Sequence, residues 1–333
     1  MNISILGAGA WGTALAINLA QRHHVVLWGR NSQAMQEAAQ QRENMAYLRG
    51  FHLPDALTVT ADFAQAIDHV VQAPAQSLVI VASSVSGLRA LSTTLCGSNI
   101  SNLVWLCKGL EEQTLLLPHQ IVAKVLGDQL PAAALSGPSF AQEVARGLPC
   151  ALTIASHDKE LCEHVVSAVH GGNLRVYSSD DLVGVEIGGA VKNILAIATG
   201  AADGLQLGLN ARAALITRGL AEITRLGIAL GGRAETFMGL SGVGDLILTC
   251  TGDLSRNRRV GLGLAQGKPL DIIVAELGHV AEGVRCAQAV RQLARQHGVD
   301  MPITNAVAGA LFDGVSVQEM VTQLLSRDPR EEN

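Results

Sequence analysis

A single lysine carries the most distinctive chemistry in this chain. Residues 187–202 are apolar apart from one charge, Lys192, which is followed at once by Asn193. A lysine in such a helix must reach water along its stem, pair with an acid, or change its pKa. Burial disfavours the ammonium and a neighbouring carboxylate favours it, so either effect tunes a proton donor. Such a donor suits acid–base work at a carbonyl; an amine that only reaches out to solvent is the plainer alternative. Asp245, within Ser241-Gly242-Val243-Gly244-Asp245-Leu246, is the carboxylate expected to pair with it. Its competing role is a helix N-cap. Further on, Ser255-Arg256-Asn257-Arg258-Arg259 sets three arginines beside a serine suited to cap a helix. That pattern makes either a local anion site or a solvated basic face.

A second chemistry-bearing stretch opens the chain. Asn2-Ile3-Ser4-Ile5-Leu6 empties into Gly7-Ala8-Gly9-Ala10-Trp11-Gly12, and an Ala-rich run follows over residues 13–20. Strand, G-x-G-x-x-G and helix in that order form a dinucleotide-binding turn. Gly7 permits the tight turn, Gly9 lets a pyrophosphate approach bare backbone, and Gly12 lets the helix pack on the sheet. The N–H groups of the new helix then face the phosphate. The next strand, Val25-Val26-Leu27-Trp28, ends in Gly29-Arg30. An NAD-selective site would place a carboxylate there, yet the first one after this strand is Glu37. Arg30 at the strand tip suits a 2′-phosphate instead, which favours NADP(H), with NAD(H) as the second cofactor. An ordinary solvated arginine is the alternative.

These residues need elements to position them. At 333 residues the chain exceeds a single core, so two domains are expected. Hydrophobic residues make up 48% and aromatics only 3%, so packing falls to Leu, Val, Ile and Ala. A net charge of −5 argues against a nucleic-acid partner. The six cysteines, Cys96, Cys107, Cys150, Cys162, Cys250 and Cys286, form no C-x-x-C pair and no metal-ligand spacing, as scattered thiols of a reducing compartment do. No basic region precedes an apolar leader, and no long charge-free apolar run suits a membrane span. The expectation is a cytoplasmic protein.

Strand-like runs recur at Leu57-Thr58-Val59-Thr60, Ser77-Leu78-Val79-Ile80-Val81-Ala82, Leu103-Val104-Trp105-Leu106-Cys107, Ala132-Ala133-Ala134-Leu135 and Ala151-Leu152-Thr153-Ile154-Ala155. Helical patterns separate most of them, which implies a parallel, doubly wound sheet. From about residue 181 the strands stop and Ala/Leu/Gly-rich amphipathic stretches take over, such as 211–230 and 286–297. The fold class is therefore α/β, with an N-terminal doubly wound Rossmann-type sheet over 1–180 and an all-α C-terminal domain over 181–330. The two are expected to share a helix, and the charged tail 327–333 to be solvated. Ligands of such a sheet bind beyond the carboxyl ends of its strands. Lys108 and the Ser136-Gly137-Pro138-Ser139-Phe140 turn both fall there, as a substrate cleft roofed by the helical domain or as plain turn chemistry.

Taken together, these stretches resemble the bacterial type of the NAD(P)-dependent glycerol-3-phosphate dehydrogenases over nearly the whole chain. The likeness rests on the glycine turn, Lys108-Gly109-Leu110-Glu111, Ser136-Gly137-Pro138-Ser139-Phe140-Ala141, Gly188-Gly189-Ala190-Val191-Lys192-Asn193, Gly242-Val243-Gly244-Asp245-Leu246, the Ser255 cluster and Glu282-Gly283. The resemblance implies that Lys192 is the active-site proton donor and acceptor. It also implies that Lys108, Gly137, Ser139, Lys192, Asp245, Ser255, Arg256 and Asn257 contact the substrate. Gly7, Gly9, Ala10, Trp11, Gly12, Arg30, Lys108, Ala141, Arg256, Val280 and Glu282 match cofactor-contacting positions. Trp11 keeps the family's aromatic ring; Ala10 stands where a serine is frequent and removes one phosphate hydrogen bond. The implied reaction is reduction of dihydroxyacetone phosphate to sn-glycerol 3-phosphate, the backbone precursor of glycerophospholipids, in a homodimer. Two other readings stand beside it: a β-hydroxyacid dehydrogenase of the 6-phosphogluconate kind, and a non-enzymatic NADP(H)-sensing module.

Overall fold

A computed structural model describes residues 1–278 and 281–325. Its contacts divide the chain into two compact units. The first comprises Met1–Lys108 and Leu116–Val185, and the second comprises Gly109–Leu115 and the chain from Glu186 onward.

The first unit is built on ten strands: β1 (Asn2–Leu6), β2 (His24–Trp28), β3 (Glu43–Asn44), β4 (Leu48–His52), β5 (Leu57–Thr60), β6 (Ser77–Val81), β7 (Leu103–Trp105), β8 (Ala132–Ser136), β9 (Cys150–Ala155) and β10 (Leu174–Ser179). Eight of them form one sheet in the order β10-β9-β8-β7-β6-β1-β2-β5. Successive residues of a strand point to opposite faces, and here both faces are dry. Ile3, Ile5, Leu78 and Ile80 enter one apolar core, while Leu6, Val79 and Val81 enter another. That two-sided burial explains why β6 is apolar throughout rather than alternating. Strand order reverses around β1, which lies between β6 and β2, so the crevice of this doubly wound sheet opens where β1 and β6 end.

The sheet corrects the all-parallel expectation. β9 pairs antiparallel with β8, and β10 then runs parallel to β9, so two strands oppose the rest. Periodicity reports which residues a strand buries but not its direction. The hairpin β3–β4, paired apart from the main sheet, was not among the expected strands, nor was β10.

The second unit is helical among its described residues. The division between units falls within the helix Leu182–Gly204, whose most apolar window has a mean hydropathy of 1.5. This helix is long and apolar enough to cross a membrane by length and composition, but 94% of that window is buried in protein. A helix apolar on all sides is a core helix when neighbours cover it. The cover is close: a Cβ at Gly188 would lie 2.2 Å from the Ser241 carbonyl oxygen. Only glycine there lets the loop before Asp245 settle directly on the helix backbone. The predicted runs at 211–230 and 286–297 correspond to the helices Gly208–Ala229 and Glu282–Gln296.

Candidate active site

In the helical unit, Lys192 is buried within Leu182–Gly204, at 7% exposure. Its Nζ donates to Asp245 Oδ1 in a short ion pair and to Thr249 Oγ1 at 3.0 Å. Asp245 and Thr249 sit one turn apart at the start and middle of the helix Asp245–Thr251, on one face. Thr249 Oγ1 in turn donates to the Asp245 backbone oxygen at 2.6 Å. The helix Asp245–Thr251 follows a kinked turn over Leu240–Gly244, in which Gly242 leaves helical geometry at φ −102° and ψ −106°. Asp245 is 1% exposed and belongs to the ion pair, while no side chain caps this helix start. Thr249 was not singled out in the sequence; its four-residue spacing from Asp245 is the signal that marks it.

The Ser255 cluster divides by role. Ser255 is the N-cap of the helix Arg256–Ala265, accepting from the Arg258 backbone N–H at 3.2 Å. Arg258 pairs with Asp203 and Asp253, at 2.8 and 2.9 Å, and so ties this helix to its neighbours. Arg256 and Arg259 are exposed. Asn257 is buried, donating from Nδ2 to Asn193 Oδ1 at 2.9 Å and accepting the Gly283 N–H at 2.9 Å. Asn193 and Asn257 thus link three helices and set the Arg256 end beside the start of Glu282–Gln296. Glu282, half-buried at that start, has its carboxyl pushed up by burial, with the Arg285 and Arg256 charges opposing. Val280 lies outside the described residues.

In the β-sheet unit, the candidates collect at strand ends. Gly7 follows β1 with φ +133°, and a Cβ there would lie 2.5 Å from the Ala82 carbonyl oxygen just past β6. No side chain could be accommodated, so the turn needs glycine. At Gly9 an added Cβ would meet nothing nearer than 4.0 Å, leaving open backbone where a phosphate would approach. Gly9 is the N-cap of the helix Ala10–Leu19, and no side chain caps that start. Ala10, Trp11 and Gly12 open this helix, with Ala10 and Trp11 half-buried. An uncapped helix start over open glycine backbone fits a dinucleotide pyrophosphate. Arg30, two residues past β2, is exposed. Lys108 follows β7 and donates from Nζ to the Gly137 oxygen at 3.2 Å, and Ser139 Oγ donates to the same oxygen at 3.1 Å. Ala141 begins the short helix Ala141–Ala145, which packs on Ala10–Leu19.

Comparison with known proteins covers both units of the chain. The NAD-dependent glycerol-3-phosphate dehydrogenase N-terminus pattern matches residues 2–162, and the C-terminus pattern of the same enzymes matches residues 181–322. The fold and site define an α/β dinucleotide-binding protein with a helical second unit. The chain belongs to the NAD-dependent glycerol-3-phosphate dehydrogenase family. It is 72% identical to the glycerol-3-phosphate dehydrogenase [NAD(P)+] of Paucimonas lemoignei, over 100% of this chain and 99% of the relative. The enzyme of the same name from Ralstonia nicotianae is 59% identical over 100% of this chain and 99% of its own. The crystal structure of glycerol-3-phosphate dehydrogenase from Coxiella burnetii superposes with a TM-score of 0.93 at 40% identity, covering 98% of each chain.

Proposed function

We propose that this protein reduces dihydroxyacetone phosphate to sn-glycerol 3-phosphate, reversibly, with NADPH or NADH. The observation that carries this reading is the buried Lys192–Asp245–Thr249 cluster in a chain 72% identical to an enzyme of that name. Gly7, Gly9, Ala10, Trp11, Gly12, Arg30, Lys108, Ala141, Arg256, Val280 and Glu282 hold the cofactor. When bound, the reduced nicotinamide supplies a hydride to the ketone carbon. Lys192 gives a proton to the ketone oxygen as negative charge develops there, and Asp245 and Thr249 fix the amine for that transfer. Lys108, Gly137, Ser139, Ser255, Arg256 and Asn257 bind the three-carbon phosphate, whose charge suits the exposed Arg256 guanidinium and the helix start beside it. Arg30 gives NADPH the advantage over NADH by pairing with the 2′-phosphate. The enzyme works in the cytoplasm as a homodimer, and its product feeds glycerophospholipid synthesis.

A substrate panel tests the reading. NADPH oxidation on adding dihydroxyacetone phosphate is expected, with 6-phosphogluconate and other hydroxyacids failing to reduce NADP+. Turnover with hydroxyacids alone, or NADPH binding without turnover of any substrate, would overturn it in favour of the hydroxyacid or sensing alternatives.

A further inference from the structure

Glycines make the turn after β1 possible, but they also leave it free to reorient. Gly9 tolerates either sign of φ, so the Ala8–Gly9 peptide can rotate by half a turn at little steric cost. The two orientations are electrostatic opposites. In a trans peptide the C=O and N–H point to opposite sides of the chain. The Gly9 N–H therefore faces an anion only while the Ala8 carbonyl faces away. A flipped peptide would turn a carbonyl oxygen toward the phosphates.

Asn44 holds the Ala8 carbonyl. It lies in β3, 3% exposed and 36 residues along the chain from Ala8. Its Nδ2 donates to the Ala8 oxygen and to Thr13 Oγ1, each at 2.8 Å. Its Oδ1 accepts the Tyr47 N–H at 3.2 Å. With both ends of the amide engaged, turning Asn44 over would set its oxygen against the Ala8 oxygen and its NH2 against the Tyr47 N–H, losing both of those bonds. The hairpin that carries it is anchored in its own right. Glu43 Oε1 accepts the Gly50 N–H at 2.6 Å, and Arg42 donates to the Leu53, Pro54 and Leu57 carbonyls. Leu48 and Leu53 are buried in the core that Ala8, Ala14 and Leu15 share. A lone two-stranded hairpin is marginal in water, so these anchors are what keep it in place.

We propose that Asn44 is a positioning residue for the dinucleotide: it pins the Ala8 carbonyl so that the Gly9 N–H stays turned toward the pyrophosphate. The inference rests on the cofactor reading above. It makes the β3–β4 hairpin part of the cofactor site although the glycine motif ends more than thirty residues earlier.

The test is NADPH titration, followed by fluorescence, of Asn44→Ala and of the near-isosteric Asn44→Asp, which keeps the volume but removes both donors. Each is expected to weaken NADPH about tenfold or more, the loss of one to two net hydrogen bonds. The KM for dihydroxyacetone phosphate at saturating NADPH should stay within about twofold. Asn44→Asp sets a buried carboxylate against the Ala8 oxygen, so its cofactor-free melting temperature is expected to fall, and NADPH is titrated well below that transition. Thr13→Val, which removes one acceptor, gives a smaller loss and serves if Asn44→Ala does not fold. An unchanged NADPH dissociation constant in a folded Asn44 variant would overturn the proposal, as would equal weakening of cofactor and substrate. A wild-type protein that does not bind NADPH at all would instead overturn the cofactor reading.

Discussion

The glycine turn of the β-sheet unit and the Lys192 cluster of the helical unit both keep polar groups ready for a ligand, by opposite means. The turn relies on backbone: Gly7 passes the Ala82 carbonyl where no side chain fits, and the helix Ala10–Leu19 starts without a cap. Its glycines are contiguous, so one local motif encodes the turn itself, with Asn44 joining from the hairpin. The Lys192 cluster relies on buried side chains drawn from segments 53 and 57 residues apart. There the helix must be apolar on every side, glycine must let the Ser241 loop onto it, and a carboxylate must meet the amine. The backbone site depends on sterics and on the Asn44 amide that holds its peptide, whereas the side-chain site depends on charge balance in a dry interior.

That contrast can be broken at its charge balance first. Asp245→Ala leaves the Lys192 ammonium buried without its counter-charge, which costs about 3–5 kcal/mol when one partner of a buried pair is removed. Urea unfolding should show a loss of that size, and a loss under about 1 kcal/mol would mean that water reaches the amine. Glu222 carries the same point further, because its buried carboxyl has hydrogen bonds but no ion pair among the described residues. Its oxygens accept the Ile303 and Thr304 N–H groups and the Thr304 hydroxyl, at 2.5, 3.1 and 3.1 Å, at the start of the helix Pro302–Phe312. Burial nonetheless pushes its carboxyl up from 4.5 to about 7, against those hydrogen bonds. A raised acid binds its proton more tightly in the folded state. Its contribution is therefore full below the unfolded value of 4.5 and declines as pH rises to about 7. The stability difference between wild type and Glu222→Gln should fall by about 3 kcal/mol over that window, measured by denaturant unfolding at each pH. A flat difference would show that Glu222 is ionised throughout. The smallest effect is expected on the backbone side: Arg30→Ala should raise the KM for NADPH about tenfold and leave that for NADH unchanged. Equal changes for both cofactors would remove Arg30 from 2′-phosphate recognition.

Much of the β-sheet unit was legible because its signals are local. The glycine turn lies between its strand and helix, and apolar runs mark β6, β7 and β9. Strand direction was not legible, since the apolar residues of β9 look the same whichever way the strand runs. The hairpin escaped because β3 is two residues long and is anchored by Asn44, a polar side chain, rather than by alternating apolar ones. In the helical unit Lys192 and Asp245 could be named in advance because each is the rare charge in a glycine-rich or apolar setting. Thr249 carries only its four-residue spacing from Asp245 as a signal, and Glu222 none, since a glutamate in an amphipathic helix reads as surface until its neighbours are known. Arg258 misleads for the same reason: in sequence it belongs to a basic cluster, but in the fold its charge is taken up by Asp203 and Asp253.

The proposed chemistry turns on Lys192 as the proton donor. The measurement is kcat for dihydroxyacetone phosphate at saturating NADPH in Lys192→Ala, with the NADPH dissociation constant determined alongside. Loss of a positioned general acid should lower kcat by about 10²–10⁴-fold while NADPH binds as in wild type. A kcat within about threefold of wild type would mean that the proton comes from elsewhere and would remove Lys192 from that role.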